Sequence, residues 1–441
     1  MANALTIAGS DSVGGAGLQA DLKAFEAVGV HCCSVVTCVT SQNTKGVSSI
    51  FQIPPEEVSS QIESVLEDVD VNSVKTGMLY SPEIVETVST ELKGHRAPIV
   101  VDPVMAATTG SSLSSGGFVD ALASKLVPMA ALVTPNLKEA SELSGMSVKD
   151  EKSVIKAGDR IMGLGPKAVL IKGGHLRGPE AIDYLFAKKG IIKFTSPKIQ
   201  GEVHGTGCTL ASLIAAHLAK EVELEDSVRL SKNMMYKAVL AREKVGLGIP
   251  CANPLAVLRI EAGKVQMLED LDDKAAELER LLTVEFIPEV GTNMAYAVLG
   301  ALDSTEVAAF DGRIVRVGSK AVKMGCAKFG ASKHVARIVL AASYHDPGTR
   351  AAMNVKFSRD NLTACRRAKL SVSTFDRAKE PKGVSSMTWG VHRAIKDLGR
   401  VPDIIYDEGG IGKEPMIRLL GENPADVVSK LRRIVSARTK G

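Results

Sequence analysis

HGTGCTLASLIAAH, His204 to His217, joins a glycine turn to an apolar run, and that join decides the fold. Gly205 and Gly207 leave the backbone free for positive φ and let a ligand come close. Thr206 and Thr209 are candidates to cap a helix, and Leu210–Leu218 reads as a buried one. A glycine turn feeding a helix N-terminus presents unpaired N–H groups and the positive end of the helix dipole, so it favours anions. Cys208 lies inside that turn, where its thiol is expected to fall below the usual ~8.5. A lone GTGC run is equally consistent with a structural turn and a buried cysteine, so the surrounding chain has to decide.

Outward from this stretch, short apolar runs alternate with helical ones. Ala4–Ala8 is a strand that ends in the glycine loop Gly9–Gly17, and Leu18–Val28 is a helix. Cys33–Val39 is a β-branched strand running into TSQNT, Thr40–Thr44. Pro55–Asp68 carries proline at its start and acids in its first turn, as helices do. Ser73–Thr76, Ile99–Val101, Leu132–Thr134 and Ala168–Ile171 are strands that end at Gly77, Asp102, Pro135 and Lys172. Ala181–Ala187 and Gly190–Phe194 read as a hairpin around KKG. Strands alternating with helices imply a mainly parallel sheet covered on both faces. Ligands on such sheets bind beyond the carboxyl ends of the strands. Asp11, Gln42, Asp102, Asn136, Lys172 and the 205–208 turn all fall there. Each alone is explained by capping or loop formation; six at strand ends are harder to dismiss.

Composition sets the outer bounds. A chain of 441 residues, 45% of them hydrophobic, can hold two or three domains with buried cores. Aromatics are only 4%, which argues against stacking platforms for nucleic acid bases. The net charge of +4 conceals an asymmetry: Ala256 onward holds 30 Lys and Arg against 23 Asp and Glu, so residues 1–255 carry −3. The seven cysteines make no CxxC pair and no Cys/His quartet, which suggests reduced thiols and a cytoplasmic setting. No apolar run reaches the ~18 residues a membrane span needs, so neither a membrane nor a nucleic acid is expected as partner.

The first 255 residues resemble the hydroxymethylpyrimidine and hydroxymethylpyrimidine-phosphate kinases, within the ribokinase-like fold. The matching stretches are AGSDSVGGAGLQADLKAF at 8–25, TSQNT at 40–44, KTGML at 75–79, VDPVM at 101–105, TPNLKEA at 134–140, LIKGGH at 170–175 and HGTGCTLAS at 204–212. The resemblance implies ATP as co-substrate, Mg²⁺ as cofactor and a homo-oligomer, dimers being common for that fold. Phosphoryl transfer needs positioning, charge neutralisation and a deprotonated acceptor oxygen. Gly205, Thr206 and Gly207 are expected to hold the transferring phosphoryl group, with Lys172 and Asn136 beside the nucleotide phosphates. Asp102 and Glu139 are candidates for Mg²⁺, which prefers oxygen ligands and keeps several waters; for Asn136, helix capping is the plainer role. Cys208 stands where sugar kinases of this fold carry an aspartate base. It either takes the hydroxyl proton or polarises the acceptor, and the residues leave both open. Gln42 offers a donor and an acceptor side by side, matching an aminopyrimidine edge; Asp21 is a weaker candidate for the same substrate.

GLGIPCANPL, Gly246–Leu255, reads as linker-like, with two glycines and two prolines. The domains are expected at 1–255 and 270–441, with 256–269 as a linker. A charged helix at Asp270–Leu282 is either a connector or the first element of the second domain. Val307–Phe310 and Arg313–Val317 read as a hairpin around Asp311-Gly312. Lys328–Ala342 holds a helix that Ser332 could cap. Further strands at 352–357, 372–375, 403–406 and 416–420 indicate a second, smaller α/β domain. GKEP, 412–415, lacks the spacer and hydroxyl of a Walker loop.

This second half resembles the archaeal-type thiamine-phosphate synthase domain through PEVGTNMAYA, DGRIVRVG, FGASKHVARIVL, STFDRAKEP and PDIIYDEGGIGKEPMIRLLG. By that resemblance Arg313 and His334 fall on positions implicated in catalysis. Joining a pyrimidine to a thiazole phosphate means losing pyrophosphate from a benzylic-like carbon. The protein's main task is then to stabilise the departing oxyanion. Arg313 can do so bidentately, His334 can donate to an oxygen, and Lys333, Arg337, Arg377 and Lys413 can add positive potential. Together the two halves imply a bifunctional enzyme of thiamine biosynthesis that takes the pyrimidine alcohol, its phosphate, ATP and thiazole phosphate. The rivals are a second domain that only senses thiamine phosphate, or a pyridoxal-type kinase.

Overall fold

The computed structural model describes residues 1–106, 113, 115–381 and 386–439. The chain divides into two compact units, Met1–Leu258 and Arg259–Gly441.

The first unit is built on nine strands: β1 (Asn3–Asp11), β2 (His31–Asn43), β3 (Gly46–Gln52), β4 (Ser73–Thr76), β5 (Ile99–Val101), β6 (Leu132–Val133), β7 (Val169–Lys172), β8 (Glu180–Ala187) and β9 (Gly190–Pro197). Their spatial order is β3-β2-β1-β4-β5-β6-β7-β8-β9. β2, β1, β4, β5, β6 and β7 run parallel. Antiparallel strands flank them: β3 on one side, the β8–β9 hairpin on the other. Side chains alternate across the central strands. Leu5, Ile7, Val74, Val101 and Val133 pack against the helices Pro55–Asp68, Pro82–Glu91 and Glu151–Met162. Ala4, Val100, Leu132 and Leu170 face the helices Gly17–Val28, Thr206–Ala219 and Leu224–Leu240. Burial on both faces is why the strands read as nearly continuous apolar runs. Because the six central strands are parallel, their carboxyl ends share one edge, and the polar residues that end them are gathered there.

The 246–255 segment is not a free linker. Gly248 N–H donates to Thr44 Oγ1 at 3.0 Å, His204 N–H to the Pro250 carbonyl at 2.8 Å, and Ala252 N–H to the His204 carbonyl at 3.0 Å. Its glycines permit close packing: a Cβ on Gly248 would lie 2.0 Å from the Thr44 carbonyl oxygen. The expected linker at 256–269 is helical instead, in Ala256–Ala262 and Lys264–Leu281. Met267, Leu271, Ala275 and Leu278 point into the core of the second unit, so this charged helix belongs to that unit. Its exposed face carries the charges that make it resemble a connector.

The second unit holds β10 (Met294–Ala297), β11 (Val307–Phe310), β12 (Ile314–Val317), β13 (Lys320–Lys323), β14 (Ala327–Phe329), β15 (Ala351–Lys356), β16 (Val372–Thr374), β17 (Ile404–Asp407) and β18 (Met416–Gly421). Seven form a sheet in the order β14-β11-β10-β15-β18-β17-β16, and only β16 and β17 are parallel neighbours. The helix Lys333–His345 packs with Ser386–Leu398, and Lys264–Leu281 with Pro424–Thr439. The expected hairpin around Asp311-Gly312 does not form. β11 pairs with β10 and β14, whereas β12 turns at Gly318 to pair with β13 in a separate two-stranded ribbon. Successive positive φ angles at Gly312 (92°) and Arg313 (70°) carry the chain away from β11.

Candidate functional site

In the first unit the site begins at the helix Thr206–Ala219. Its N-cap is Gly205, at φ 80°, and no side chain caps it. The expected threonine caps are absent: Thr206 is the first helical residue, and Thr209 is fully buried with its hydroxyl unpaired. The leading N–H groups therefore stay open to an anion. A Cβ on Gly205 would lie 1.7 Å from the Gly15 carbonyl oxygen, so the glycine loop Gly9–Gly17 closes directly onto this turn. A Cβ on Gly207 would lie 3.1 Å from Lys172 Nζ and 3.8 Å from Asp102 Oδ2. Lys172, at the end of β7, and Asp102, just past β5, thus meet the uncapped turn.

Lys172 Nζ donates to Asp102 Oδ1 at 2.8 Å, and Thr134 Oγ1 donates to the same oxygen at 3.1 Å. Burial pushes the Asp102 carboxyl up, but Lys172 and Lys75 outweigh it and hold it ionised below its ordinary range. Asn136 caps the helix Leu137–Ser144: its Oδ1 accepts from Lys138 N–H at 2.9 Å and Glu139 N–H at 3.0 Å. Glu139 Oε2 accepts from Asn136 N–H at 2.7 Å. Burial pushes the Glu139 carboxyl up to about 7, against the pull of Lys172 and with the help of Asp102. Asp102 and Glu139 are thus two neighbouring buried carboxylates, a hard oxygen pair suited to a cation that brings its own waters. Among the described residues, no group of three or more His, Cys, Asp or Glu gathers to hold a metal.

Two expectations change. The Cys208 thiol is not depressed. Burial pushes it up to about 12; Lys75 opposes this, while Asp102 and Asp21 add to it. The side chain keeps some surface open yet sits deep among protein atoms, and that loss of solvent outweighs the helix dipole. Asp21 cannot reach a substrate. It is fully buried, and its oxygens accept from Lys75 Nζ at 2.9 and 2.8 Å, Thr6 Oγ1 at 2.7 Å and Ser212 Oγ at 2.7 Å. Its work is to hold the Lys75 ammonium, also fully buried, behind Cys208. Sequence reading passed over Lys75; a lysine between Val74 and Thr76 inside a core strand was the available signal.

At the other side of the loop, Asp11 gathers N–H groups. Val13 donates to its Oδ1 at 3.0 Å; Gly15 and Ala16 donate to its Oδ2 at 3.0 and 2.8 Å. His204 Nε2 lies 3.0 Å from the same Oδ2, and Gln42 Nε2 lies 2.8 Å from His204 Nε2. A groove of about 580 Å³ lined by Thr44, Lys45, Arg242 and Pro250, among others, opens beside this cluster rather than at the 205–208 turn. The groove is open space and by itself carries no chemistry.

In the second unit the helix Lys333–His345 starts at Ser332, whose side chain does not cap it, contrary to expectation. His334 sits in its first turn, at the surface but ringed by cations. Loss of solvent, then Arg418, Arg313, Arg377 and Arg337, push its imidazole down to about 4. Arg418, Arg313, Arg377 and Arg337 thus all lie close enough for their charge to act on His334. Lys413 instead pairs with Glu380 at 2.9 Å, and Lys333 is exposed. Arg313 donates to the Val290 carbonyl. That carbonyl's turn is held by Asn354, whose Nδ2 donates to the Gly291 carbonyl at 3.0 Å. Two residues were missed. Arg418, on β18, is fully buried; it donates to Asp407 Oδ2 at 2.6 Å and stacks 5.3 Å from the Phe375 ring, and its Nε has no partner. Asp407, equally buried, also takes the Arg377 guanidinium. Arg418 was legible as the single charge inside MIRLLG.

A parallel sheet whose strand ends present an uncapped helix, a lysine and paired carboxylates defines a small-molecule phosphotransferase, and the second unit adds a histidine surrounded by arginines. Comparison with known proteins agrees. The phosphomethylpyrimidine kinase family model matches residues 11–253, and that of thiamine-phosphate synthase ThiN matches 270–433. The bifunctional thiamine biosynthesis protein ThiDN of Methanocaldococcus jannaschii is 35% identical over 97% of both chains. The hydroxymethylpyrimidine/phosphomethylpyrimidine kinase of Rhizobium meliloti is 43% identical over 56% of this chain and 93% of its own. In structure, the pyridoxal kinase of Bacillus subtilis in its ADP complex superposes with a TM-score of 0.55 at 33% identity, covering 59% of this chain and 99% of that one. The chain belongs to the bifunctional thiamine biosynthesis family, a phosphomethylpyrimidine kinase followed by a thiamine-phosphate synthase domain. It is an enzyme with both activities. Among the described residues, no helix is long and apolar enough to cross a membrane.

Proposed function

We propose that the first unit phosphorylates 4-amino-5-hydroxymethyl-2-methylpyrimidine and then its monophosphate with ATP. The second unit condenses the resulting diphosphate with 4-methyl-5-(2-phosphoethyl)thiazole to thiamine phosphate, releasing pyrophosphate. The observation that carries the kinase half is the uncapped Gly205–Cys208 turn with Lys172 against Gly207. Its amides and Lys172 hold the transferring phosphoryl group through the loose transition state. Gln42 reads the pyrimidine. Asp102 and Glu139 would hold Mg²⁺ through oxygen and water, and the bound ion would neutralise charge at the phosphate oxygens. Asn136 serves by shaping the Glu139 carboxylate rather than by touching nucleotide. Cys208, a protonated thiol in this setting, cannot take up a second proton; it polarises the acceptor hydroxyl by hydrogen bonding, and the hydroxyl proton passes to a phosphate oxygen of ATP as the acceptor oxygen bonds to phosphorus.

In the second unit Arg313, Arg337 and Arg377, with the open helix end, receive the pyrophosphate. Neutral His334 donates a hydrogen bond to it. Retention of Arg313 and His334 in one cationic site supports catalysis over mere sensing. We place the junction of the two activities at 258/259, and take the enzyme to act as a homo-oligomer in a reducing, cytoplasmic setting; light scattering of the full chain tests the former. The decisive test is one pot: pyrimidine alcohol, ATP, Mg²⁺ and thiazole phosphate, read by product mass. Thiamine phosphate should form with the full chain and stop at the pyrimidine diphosphate with Arg313→Ala. Pyridoxal as competitor should barely slow the reaction; equal turnover of pyridoxal would overturn the substrate assignment.

A further inference from the structure

Gln42 is held from both ends. Ser12 Oγ accepts from Gln42 N–H at 2.8 Å and donates to the Gln42 carbonyl at 2.9 Å. At the far end, the amide meets His204 Nε2 at 2.8 Å. His204 is itself clamped. Its backbone is pinned by Pro250 and Ala252, and its ring is wedged beside the glycine loop, so that a Cβ on Gly15 would lie 2.5 Å from its Cδ2.

The donor count at His204 Nε2 is decisive. That nitrogen lies 3.0 Å from Asp11 Oδ2. The Asp11 carboxylate already accepts three backbone N–H groups, so it is ionised and can only accept. His204 Nε2 must therefore carry a proton, whether the ring is neutral or charged. An amide NH₂ facing that N–H would set donor against donor. Oxygen and nitrogen of a side-chain amide are distinguished only by such bonding logic. The group facing His204 is accordingly the Gln42 oxygen, which shares the N–H with Asp11.

We propose that His204, fixed by Asp11, is a positioning residue that sets the Gln42 amide with oxygen toward the imidazole and NH₂ toward the substrate, so that the pocket selects a heterocycle presenting a ring acceptor nitrogen. This deepens the kinase reading and rests on Gln42 being the group that meets the pyrimidine. It also gives the Gly246–Leu255 segment a function, since Pro250 and Ala252 hold the His204 backbone in place.

The test uses the full chain with ¹⁵N-labelled histidine. His204→Gln identifies the His204 signal and keeps a donor near the Nε2 position. The ring should carry its proton on Nε2 at neutral pH; a ring protonated only on Nδ1 overturns the proposal. In steady-state kinetics, His204→Leu should raise KM for the pyrimidine alcohol about tenfold, the weight of one hydrogen bond, and His204→Gln should restore most of it. The analogue with CH in place of the ring nitrogen beside the amino group should lose about tenfold in kcat/KM with the native enzyme and much less with His204→Leu. If Gln42→Leu leaves KM unchanged, the pyrimidine-reading role itself falls. If Gln42→Leu raises KM but His204→Leu does not, that role stands and the orientation proposal falls.

Discussion

Asp407→Asn strikes the synthase site through its foundation. The carboxylate is fully buried and accepts from two arginines: Arg418, equally buried, and Arg377, whose side chain is 9% exposed. Asparagine keeps the shape but removes the charge that compensates them. Stripping one partner from a buried ion pair costs about 3–5 kcal/mol, because the remaining charge is left in a poorly solvated place. In a unit the size of Arg259–Gly441, each kcal/mol moves the melting point by roughly 2–4 °C, so the transition should fall by roughly 6–20 °C. The single tryptophan makes this measurable. Trp389 lies in the second unit, edge-on to Phe375 with ring centroids 6.1 Å apart, and Phe375 lies under Arg418. Its fluorescence reports this unit and not the kinase. Asp407→Leu combined with Arg418→Met removes both buried charges and should recover part of the loss, while Arg377 keeps a path to solvent. Synthase turnover should vanish in the single variant with kinase turnover retained. A drop below about 2 °C, or a double variant no more stable than the single, would refute the view that Asp407 neutralises the floor of the site.

Three further expectations rest on the geometry. His334 should titrate near 4 in the free enzyme and rise when pyrophosphate neutralises the arginines around it; an ordinary imidazole titration in the free protein would contradict the shared cationic site. Because its pKa is lower folded than unfolded, its contribution to stability is present above the unfolded value of ~6.5 and lost as pH falls toward about 4, which acid denaturation of native against His334→Gln would reveal. Peptide-resolved alkylation of Cys208 should show no inflection below about pH 9, and Cys208→Ala should lower kinase turnover by less than ~10²-fold, since a protonated thiol only orients the acceptor; a loss of ~10²–10⁴ would show that the residue handles the proton after all. Gly205→Ala would place a methyl 1.7 Å from the Gly15 carbonyl oxygen at φ 80°. It should cut kinase kcat/KM about a hundredfold with ATP and pyrimidine, leaving the synthase step with supplied diphosphate untouched.

The amino-acid order by itself settled the alternation of parallel strands and helices in the first unit, though not the antiparallel edge strand β3. It also marked which residues end the parallel strands, because a doubly covered sheet writes its period and its punctuation locally. The motifs further made Arg313 and His334 candidates for a pyrophosphate site. Folding decided what those residues are. Asp21, a substrate candidate on paper, is a buried counter-ion for Lys75. Cys208, expected acidic at a helix start, is held protonated by its surroundings. Asp311-Gly312, a hairpin signal, releases β12 into another ribbon. Each outcome depends on atoms far away in the chain: Lys75 is 54 residues from Asp21, and Asp11 is 193 from His204. Charge, solvent exclusion and donor-acceptor matching act across space, so they become readable only when the chain has closed on itself.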